Sequence, residues 1–330
     1  MMIPLKTDIF KISFLLALVF LFTGCAEESN ITEIKLGHGL DISHPVHKAM
    51  EFMAERLLEK SDGTMVIDIY PNNQLGSERE CLELLQIGSL GMTKVSTGVL
   101  ENFVPSFQVF GLPFLFRDRE HRFAVLEGEI GEQFLDRSID KRLKGLTFYD
   151  AGSRSFYSKK LVETPEDLKG LKLRVMESNT AMNMVKSLGG SPTPIAWGEL
   201  YTALQQGIVD GAENNLPSFY LSRHYEVCKF FVIDEHTALP DELVISTLIW
   251  NKLSPQQQKW LKEAAVESSE YQQVIWREAE LEALEEIKKA GVTVSIPDKD
   301  LFRSRVQPMY DEFSKDPEMK KIIEEIQAIK

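Results

Sequence analysis

Hydrophobic and polar residues follow two different periods along the first third of the chain. Segments 34–39, 66–70 and 92–96 have the short apolar or alternating pattern that predicts β-strands. Segments 43–58 and 77–85 repeat apolar residues every three to four positions and begin with a serine, which predicts capped amphipathic helices. Strands and helices in alternation, joined by short connections, predict an α/β fold with a mainly parallel sheet.

A strand near the middle of the chain carries an arginine close to its end. Residues 171–175 alternate apolar and basic side chains, and Ser178 or Asn179 can cap the helix that follows. Arg174 therefore lies near the carboxyl end of a strand, where ligands bind in open α/β sheets. A guanidinium matches a carboxylate with two parallel hydrogen bonds, so Arg174 is a candidate anion-binding residue. A surface arginine in a strand is the alternative.

A chain of 330 residues is too long for one ordinary core, and the pattern repeats in its second half. Besides the arginine strand, strands are predicted at 146–149 and 208–212, so a second α/β domain begins near residue 150. Segment 104–116 is rich in Phe, Pro and Gly without a single period and is predicted to be irregular. Segment 120–143 is predicted to be helical.

The last third of the chain is dominated by one helical pattern from 254 to about 290. Because it is longer than ordinary globular helices, it is predicted either to kink or to lie across both domains. Before it, segment 234–247 is predicted to cross back to the first domain. After it, a last strand is predicted at 292–296 and a last helix at 301–313.

The net charge of −13 changes the range of partners more than it changes the fold. It argues against nucleic acid or another polyanion and favours a self-repelling, soluble surface. It does not argue against a small anionic ligand, because one buried arginine can dominate its own pocket.

The N-terminus has the pattern of a targeting segment. Two lysines flank the start of an apolar run at 12–22, which is too short for a comfortable membrane span and is followed by Thr, Gly and Cys25. This ending resembles the lipobox of bacterial lipoproteins. We therefore expect a signal peptide at 1–24, a lipid on Cys25, a tether at 25–33 and a periplasmic protein anchored to a membrane. An ordinary export signal or an uncleaved anchor is the alternative.

The sequence carries no motif for cofactor or metal chemistry. It has no glycine-rich nucleotide loop, no nucleophile elbow and no metalloprotease motif, so no cofactor is predicted. His44 and His47 lie on one predicted helix, but no third ligand is near them, and both are predicted to be surface positions. Cys81 and Cys228 lie in apolar patterns and are predicted to be buried free thiols, a disulfide between them being the alternative.

Polar residues collect at the predicted carboxyl ends of strands, as in proteins that bind a ligand between two α/β units. Two arginines and an amide fit a carboxylate, whereas Glu, Lys and His fit hydroxyl groups, and Trp197 offers an apolar wall for a ring. Taken singly, most are better explained as ordinary loop residues. The polar set is His38, Asp41, Glu78, Lys94, Arg154, Arg174, Asn214 and Asn215.

Five segments, in this order, resemble the solute-binding component of tripartite ATP-independent periplasmic (TRAP) transporters. The resemblance covers about residues 34 to 313. No segment is specific alone, but the combination is. The segments are YPNNQLG (70–76), LPFLF (112–116), DLKGLKLRV (167–175), GELYTALQ (198–205) and VDGAEN (209–214).

The resemblance implies a two-lobed α/β periplasmic binding protein (type II-like), with a ligand cleft between the lobes and a long helix spanning both. Lobe I is expected to comprise 34–150 and about 240–280, and lobe II 151–239 and about 281–330. It implies binding without catalysis, a small organic acid as ligand, the TRAP membrane permease subunits as partners, and no nucleic acid.

The resemblance also assigns roles to individual residues. Arg174 aligns with the arginine that binds the ligand carboxylate, Arg154 with a second arginine and Asn214 with an amide that touches the carboxylate. An aromatic position aligns with Trp197. Positions that contact the ligand body align with Glu78 and Lys94.

Segments 150–157, 211–215 and 234–237 resemble the subgroup that binds hexuronates such as glucuronate and galacturonate. His38 and Asn215 complete a polar set that suits a hydroxylated ring better than a plain dicarboxylate. The same role for a 2-keto acid, a dicarboxylate or sialic acid is the alternative, as is a sensor lipoprotein. A secreted enzyme acting on an acidic sugar, with Glu78 and Glu213 as paired carboxylates, is the remote one.

Overall fold

The computed structural model describes residues 31–330, so the predicted signal peptide and Cys25 lie outside the described residues. Within that range the strands form two mixed sheets of five and six strands, covered by helices, which confirms the predicted α/β class. In chain order the strands are β1 (Thr32–Gly37), β2 (Met65–Tyr70), β3 (Met92–Ser96), β4 (Leu143–Tyr149), β5 (Arg154–Ser158), β6 (Lys172–Val175), β7 (Ser191–Pro194), β8 (Gly211–Asn214), β9 (Phe230–Thr237), β10 (Asp241–Ser246) and β11 (Thr293–Ser295).

The helices of the described range cover both sheets. They are α1 (Pro45–Lys60), α2 (Glu78–Gln86), α3 (Thr97–Leu100), α4 (Arg119–Leu126), α5 (Glu129–Asp136), α6 (Asn179–Ser187), α7 (Leu200–Gln205), α8 (Leu216–Leu221), α9 (Thr247–Trp250), α10 (Pro255–Lys289), α11 (Lys299–Phe313) and α12 (Pro317–Ala328).

The first sheet has the order β2-β1-β3-β10-β4. Strand β1 is parallel to β2 and β3, as the β-α-β pattern predicts. Strand β10 is antiparallel to both of its neighbours, so the sheet is mixed, whereas the other four strands run in one direction, as predicted for a mainly parallel sheet. The reason for the antiparallel strand is topological, because β10 returns directly from the other sheet instead of following a crossover helix.

The second sheet has the order β11-β9-β5-β8-β6-β7, and β5 is antiparallel to β8 and β9. The chain passes between the sheets at 150–153 and again at 238–240. The second passage fits the predicted crossing at 234–247. The chain therefore leaves one sheet and enters the other close to the expected lobe boundaries. The lobe division of the whole chain stays a prediction.

Two of the predicted helix N-caps form as the local sequence indicates, and one does not. Ser77 and Glu80 form the predicted capping box of α2, and Ser178 caps α6. Ser43 does not cap α1, because Pro45 occupies the first helical position and His44 becomes the N-cap. The Ser43 hydroxyl donates to Asp41 Oδ1 at 2.7 Å instead.

The segment predicted to be helical at 120–143 consists of several short helices in the structure. It contains α4, α5 and a 3₁₀ turn at Ile139–Lys141, and β4 begins at Leu143. Gly131 packs against the Leu126 carbonyl so closely that no side chain would fit there. This close approach turns the chain sharply between two helices.

Helix α10 is 35 residues long and uninterrupted. Its first half packs Leu261 and Ala265 into the core with β1, and Ile287 near its end packs into a core with β8 and β9. Of the two predicted alternatives, α10 therefore lies across both units. In residues 31–330 no helix has the length and apolarity needed to cross a membrane.

Cys81 and Cys228 are buried and free, as predicted. Burial raises the pKa of the Cys81 thiol to about 11 and that of Cys228 to about 12. Both thiols are therefore protonated and unreactive at neutral pH.

Candidate functional site

A cavity lies between the two sheets, and residues of both line it. Residues from distant parts of the chain come together at this cavity because the ends of β3, β6, β8 and β10 meet here. Seven of the eight predicted ligand-binding residues line the cavity. They are Arg174, Arg154, Asn214, Asn215, Trp197, Glu78 and Lys94.

Arg174 lies on β6 and is only 3% exposed. Its Nε donates to the Ile195 carbonyl at 2.8 Å, and the guanidinium lies 5.9 Å from the Trp197 ring centroid. No carboxylate in residues 31–330 forms a salt bridge with it. Burial lowers its pKa from the ordinary value, which reflects the free energy cost of the desolvated charge. An anion entering the cavity would offset that cost.

Arg154 begins β5 and is fully engaged with the protein. Its Nε and Nη2 donate to the two Glu213 carboxylate oxygens at 2.5 and 2.8 Å, and Nη1 donates to Asn214 Oδ1 at 2.9 Å. Burial would raise the pKa of Glu213, but the Arg154 charge and the neighbouring His236 lower it to about 2. This pair neutralises the second cavity arginine.

A buried histidine extends the Arg154–Glu213 pair. His236 Nδ1 lies 2.7 Å from Asp234 Oδ2, and its Nε2 lies 3.6 Å from Glu213 Oε2. Burial would lower the pKa of His236, but the charges of Asp234 and Glu213 raise it to about 9. The imidazole is therefore cationic at neutral pH, and the four groups form a chain of alternating charge.

The side chains of Asn214 and Asn215 differ in which amide atoms remain available to hydrogen-bond a ligand. Asn214 Oδ1 accepts from Arg154 and from the Asn215 backbone N–H, so its Nδ2 faces the cavity without a protein acceptor in the described range. Asn215 caps α8 by accepting from the Ser218 N–H at 2.8 Å, and its Nδ2 donates to the Ala151 carbonyl at 2.9 Å. Asn215 therefore lines the cavity but uses its amide within the fold.

The first sheet supplies a cluster of three charged residues. Lys94 Nζ lies 2.7 Å from Glu78 Oε1 and 3.1 Å from Asp241 Oδ2. Burial opposes the lysine charge, but both carboxylates raise its pKa above the ordinary value. Burial and the Glu78 charge raise the pKa of Asp241, while Lys94 acts in the opposite direction.

Asp41 of the predicted polar set does not line the cavity, and His38 is the one predicted ligand-binding residue that does not. Its Nε2 lies 3.0 Å from His47 Nδ1, and its Nδ1 accepts from the Leu40 N–H, so both ring nitrogens are used within the fold. Burial is the main cause that lowers the pKa of His38 to about 3. His44 lines the cavity instead, with Nε2 3.3 Å from Ser218 Oγ.

The prediction that His44 and His47 are surface positions is wrong, because both are 4% exposed. His44 contacts Ser218 of α8 and Trp276 of α10, and His47 contacts His38, contacts that the α1 sequence does not encode. No cluster of three or more His, Cys, Asp or Glu residues suited to a metal ion occurs in the described part of the chain.

Several residues that line the cavity were not predicted from the sequence. Asp241 follows a proline at the start of β10, and its pairing with Ser96 brings it beside Lys94. Only knowledge of that strand pairing identifies it. The other missed lining residues are Gly39, Leu40, His44, Ser77, Ser96, Val99, Ala151, Met176, Glu177, Ala196, Ser218 and Trp276.

The fold and cavity define a class of protein. Two α/β units that share a long helix, with a buried arginine facing a cavity between them, form a binding protein for a small anionic molecule. The pattern of the bacterial extracellular solute-binding protein family 7 (DctP) matches residues 36–316. The chain belongs to this family of TRAP solute-binding proteins.

Individual relatives are similar over nearly the whole chain. A TRAP periplasmic solute-binding protein from Xanthobacter autotrophicus, solved with bound β-D-galacturonate, is 38% identical, with a TM-score of 0.88, over 90% of this chain and 100% of that one. One from Chromohalobacter salexigens, solved with D-glucuronate, is 34% identical, with a TM-score of 0.87 and the same coverage. A solute-binding protein from the same organism is 36% identical over 86% of each chain.

The charge chain at His236 predicts a pH-dependent stability. Its folded pKa of about 9 exceeds the ordinary value of 6.5. The stabilisation is therefore complete below pH 6.5 and is lost as pH rises through about 9. We expect His236→Gln to lower the melting temperature most at pH 6, by an amount that corresponds to about 3 kcal/mol at most, and least above pH 9.

The matched control is His38→Gln. His38 is also buried, but its pKa of about 3 keeps it neutral from pH 5 to 10. Between about pH 8 and 10 both the folded and the unfolded state carry a neutral His38, so His38→Gln should change the melting temperature equally there. Below about pH 6.5 only the unfolded state takes up the proton, so His38→Gln should become less destabilising as pH falls, the opposite trend to His236→Gln. A His236→Gln effect that does not vary with pH would contradict the charged state assigned to His236.

Proposed function

We propose that the protein captures a hexuronate, such as glucuronate or galacturonate, outside the cytoplasm and delivers it to a TRAP membrane permease. The observation that carries this proposal is the buried Arg174 guanidinium, which faces the cavity without a carboxylate partner in residues 31–330. The solved relatives with galacturonate and glucuronate, at 38% and 34% identity, support the ligand class.

In the proposed complex, the uronate carboxylate pairs with Arg174 and accepts a hydrogen bond from Asn214 Nδ2. The guanidinium and the amide NH₂ group both donate hydrogen bonds, and an ionised carboxylate accepts them. The sugar ring lies near Trp197, whose indole presents an apolar face. Lys94, Glu78 and Asp241 then face the ring hydroxyls with both donors and acceptors.

Ligand binding in this cavity would couple to closure of the two units. Arg174 and Trp197 belong to the second sheet and its connections, whereas Lys94 and Asp241 belong to the first. A ligand that contacts both walls stabilises the arrangement in which they are close, by its difference in affinity for the two states. Release to the permease requires the reverse change.

The rival functions differ in what they demand of the cavity. A 2-keto acid or dicarboxylate would leave the Lys94 cluster without hydroxyl partners, whereas sialic acid would use it. For an enzyme, Glu213 would have to exchange protons, but its pair with Arg154 and its pKa of about 2 keep it ionised at neutral pH. A sensor would use the same site for the same ligand.

The salt bridge to Arg174 is tested by substitution. We expect Arg174→Ala to weaken glucuronate and galacturonate binding by about 100-fold or more in isothermal titration calorimetry, because the ligand carboxylate would be buried without its counter-charge. Glucose and galactose, which lack the carboxylate, should not bind either protein. The melting temperature without ligand should not fall, since Arg174 has no carboxylate partner in the described range to lose.

Arg305→Ala is the matched control, because Arg305 is exposed and pairs only with Glu166 among the described residues. It should bind uronates like the unmodified protein. A thermal-shift panel of sugar acids, keto acids, dicarboxylates and neutral sugars identifies the ligand class by the stabilisation that binding produces. Retained uronate affinity in Arg174→Ala would refute the assignment, and a shift with keto acids alone would replace the ligand.

We further propose that Cys25 carries a lipid that anchors the protein to a membrane. The support is the apolar run followed by Thr, Gly and Cys in the sequence. We expect the expressed full-length chain to partition into detergent and to incorporate labelled fatty acid. Cys25→Ser should abolish both, whereas Cys81→Ser should abolish neither. Equal label in the Cys25→Ser protein would show that the anchor is elsewhere.

A further inference from the structure

We propose that Glu78 and Asp241 form an acidic wall that rejects a second carboxylate, so that the cavity selects monoacids over diacids. This inference rests on the proposed function, because it assumes that an organic acid binds at Arg174. It adds a specificity rule that the Arg174 salt bridge alone does not supply, since a dicarboxylate can also form that bridge.

The balance of charge around the cavity is uneven. Arg154 is neutralised by Glu213, and Lys94 is shared by two carboxylates, those of Glu78 and Asp241. With both carboxylates ionised, the cluster of the first sheet carries one net negative charge. Among the described lining residues, this leaves Arg174 as the cation without a carboxylate neighbour.

The acidic wall is held in place by the first sheet. Lys94 lies on β3, and Asp241 lies at the start of β10, opposite Ser96 in the same antiparallel pair. Glu78 begins α2, where its Oε2 accepts from the Ser96 N–H at 3.2 Å while Oε1 binds Lys94. The lysine and a backbone amide thus fix the carboxylates, which cannot simply turn away from a ligand.

Arg174 and the acidic wall would bind chemically different ends of a ligand. Hydroxyl groups at the far end can donate to Glu78 and Asp241 and accept from Lys94. A carboxylate at that end can only accept, so it would meet two carboxylates that offer it no proton. The repulsion acts between the second ligand carboxylate and the one net negative charge of the cluster. At a separation of about 6 Å and an effective dielectric constant of about 20, it corresponds to about 100-fold in affinity.

The test uses ligand pairs that differ only at one end. Galactonate and galactarate share the same chain of hydroxyls, but the second replaces a terminal CH₂OH by a carboxylate. In calorimetry at pH 8, we expect the purified protein to bind galactarate about 100-fold more weakly than galactonate. The pair 2-oxobutyrate and oxaloacetate repeats the comparison without hydroxyls.

Glu78→Gln and Asp241→Asn each remove one wall charge and leave Lys94 with one carboxylate. In either variant the cluster carries no net charge, so the diacid-to-monoacid ratio of dissociation constants should fall by about 100-fold. The matched control is Glu83→Gln, which removes the same charge from an exposed position of α2 and should leave the ratio unchanged.

The outcomes separate this inference from the proposed function. If keto acids bind and sugar acids do not, the proposed ligand is wrong, while the oxobutyrate–oxaloacetate ratio still decides the acidic wall. Tighter binding of either diacid than of its monoacid, or a ratio unchanged in both wall variants, overturns the acidic wall. Binding of no acid overturns both.

A separate observation concerns the YPNNQLG segment, to which the proposed function assigns no role. Asn72 and Asn73 adopt left-handed φ angles of 55° and 57°, and their N–H groups donate to the carbonyls of Leu40 and His38 at 3.0 Å. The turn is therefore fixed to the first unit. A side-chain amide tolerates this backbone better than most side chains do.

The Asn73 side chain lies between two glycines from opposite sides of the cavity. A Cβ on Gly39 would lie 2.6 Å from Asn73 Oδ1, and a Cβ on Gly198 would lie 2.8 Å from Asn73 Nδ2. Gly39 and Trp197, the neighbour of Gly198, both line the cavity, and Gly198 itself is exposed. We infer that Asn73 is a latch at the cavity rim, which holds the closed arrangement through close contact with the Gly198 backbone.

A double substitution tests the latch. Gly198→Ala should weaken uronate binding by about 10-fold, mainly through faster dissociation, because its methyl group collides with Asn73 only when the units are close. Asn73→Ala alone should also speed dissociation, because it removes the latch, and adding Gly198→Ala to it should weaken binding little further, because the collision partner is gone. Asn72→Gly, which keeps the left-handed turn without touching Gly198, is the control and should bind normally. An equal Gly198→Ala effect with and without Asn73 would overturn the latch.

Discussion

Burying a guanidinium away from water costs free energy unless a carboxylate or a set of acceptors lies beside it. Arg174 is 3% exposed and has one carbonyl acceptor, that of Ile195, but no carboxylate partner in residues 31–330. The fold tolerates this because β6 is held between β7 and β8 and cannot turn the side chain outward. The cavity is therefore prepared for an anion, and binding the anion relieves a cost that the folded protein already carries.

The other cationic side chains that line the cavity, Arg154 and Lys94, have carboxylate partners within the protein, whereas Arg174 has none in the described range. Arg154 has the same charge and similar burial, but Glu213, Asn214 and the Glu213 carbonyl occupy its donors. Behind it, His236 and Asp234 continue the alternation of charge beside the passage between the sheets at 238–240. Because Arg154 also lines the cavity, this chain of charges connects the cavity to the passage between the sheets.

Parts of this arrangement were predictable from sequence because they depend on residues close together in the chain. The predicted strand 92–96 agrees with β3, and the capping box of Ser77 and Glu80 forms as predicted. The strand that carries Arg174 and the helix capped by Ser178 were likewise found from local pattern. The TRAP family also followed from sequence, since five short segments in a fixed order are specific when combined.

What the sequence determined by itself was the alternation of strands and helices in the first third of the chain, the position of Arg174 near a strand end, and the family. The tertiary structure alone decided which polar groups meet. It paired Asp241 with Lys94 through the antiparallel β10, placed His44 instead of His38 in the cavity, and left Arg174 as the arginine without a carboxylate in the described range. The reason is physical, because periodicity reports how a residue faces its own element, whereas the partners of a buried charge are set by contacts between distant segments.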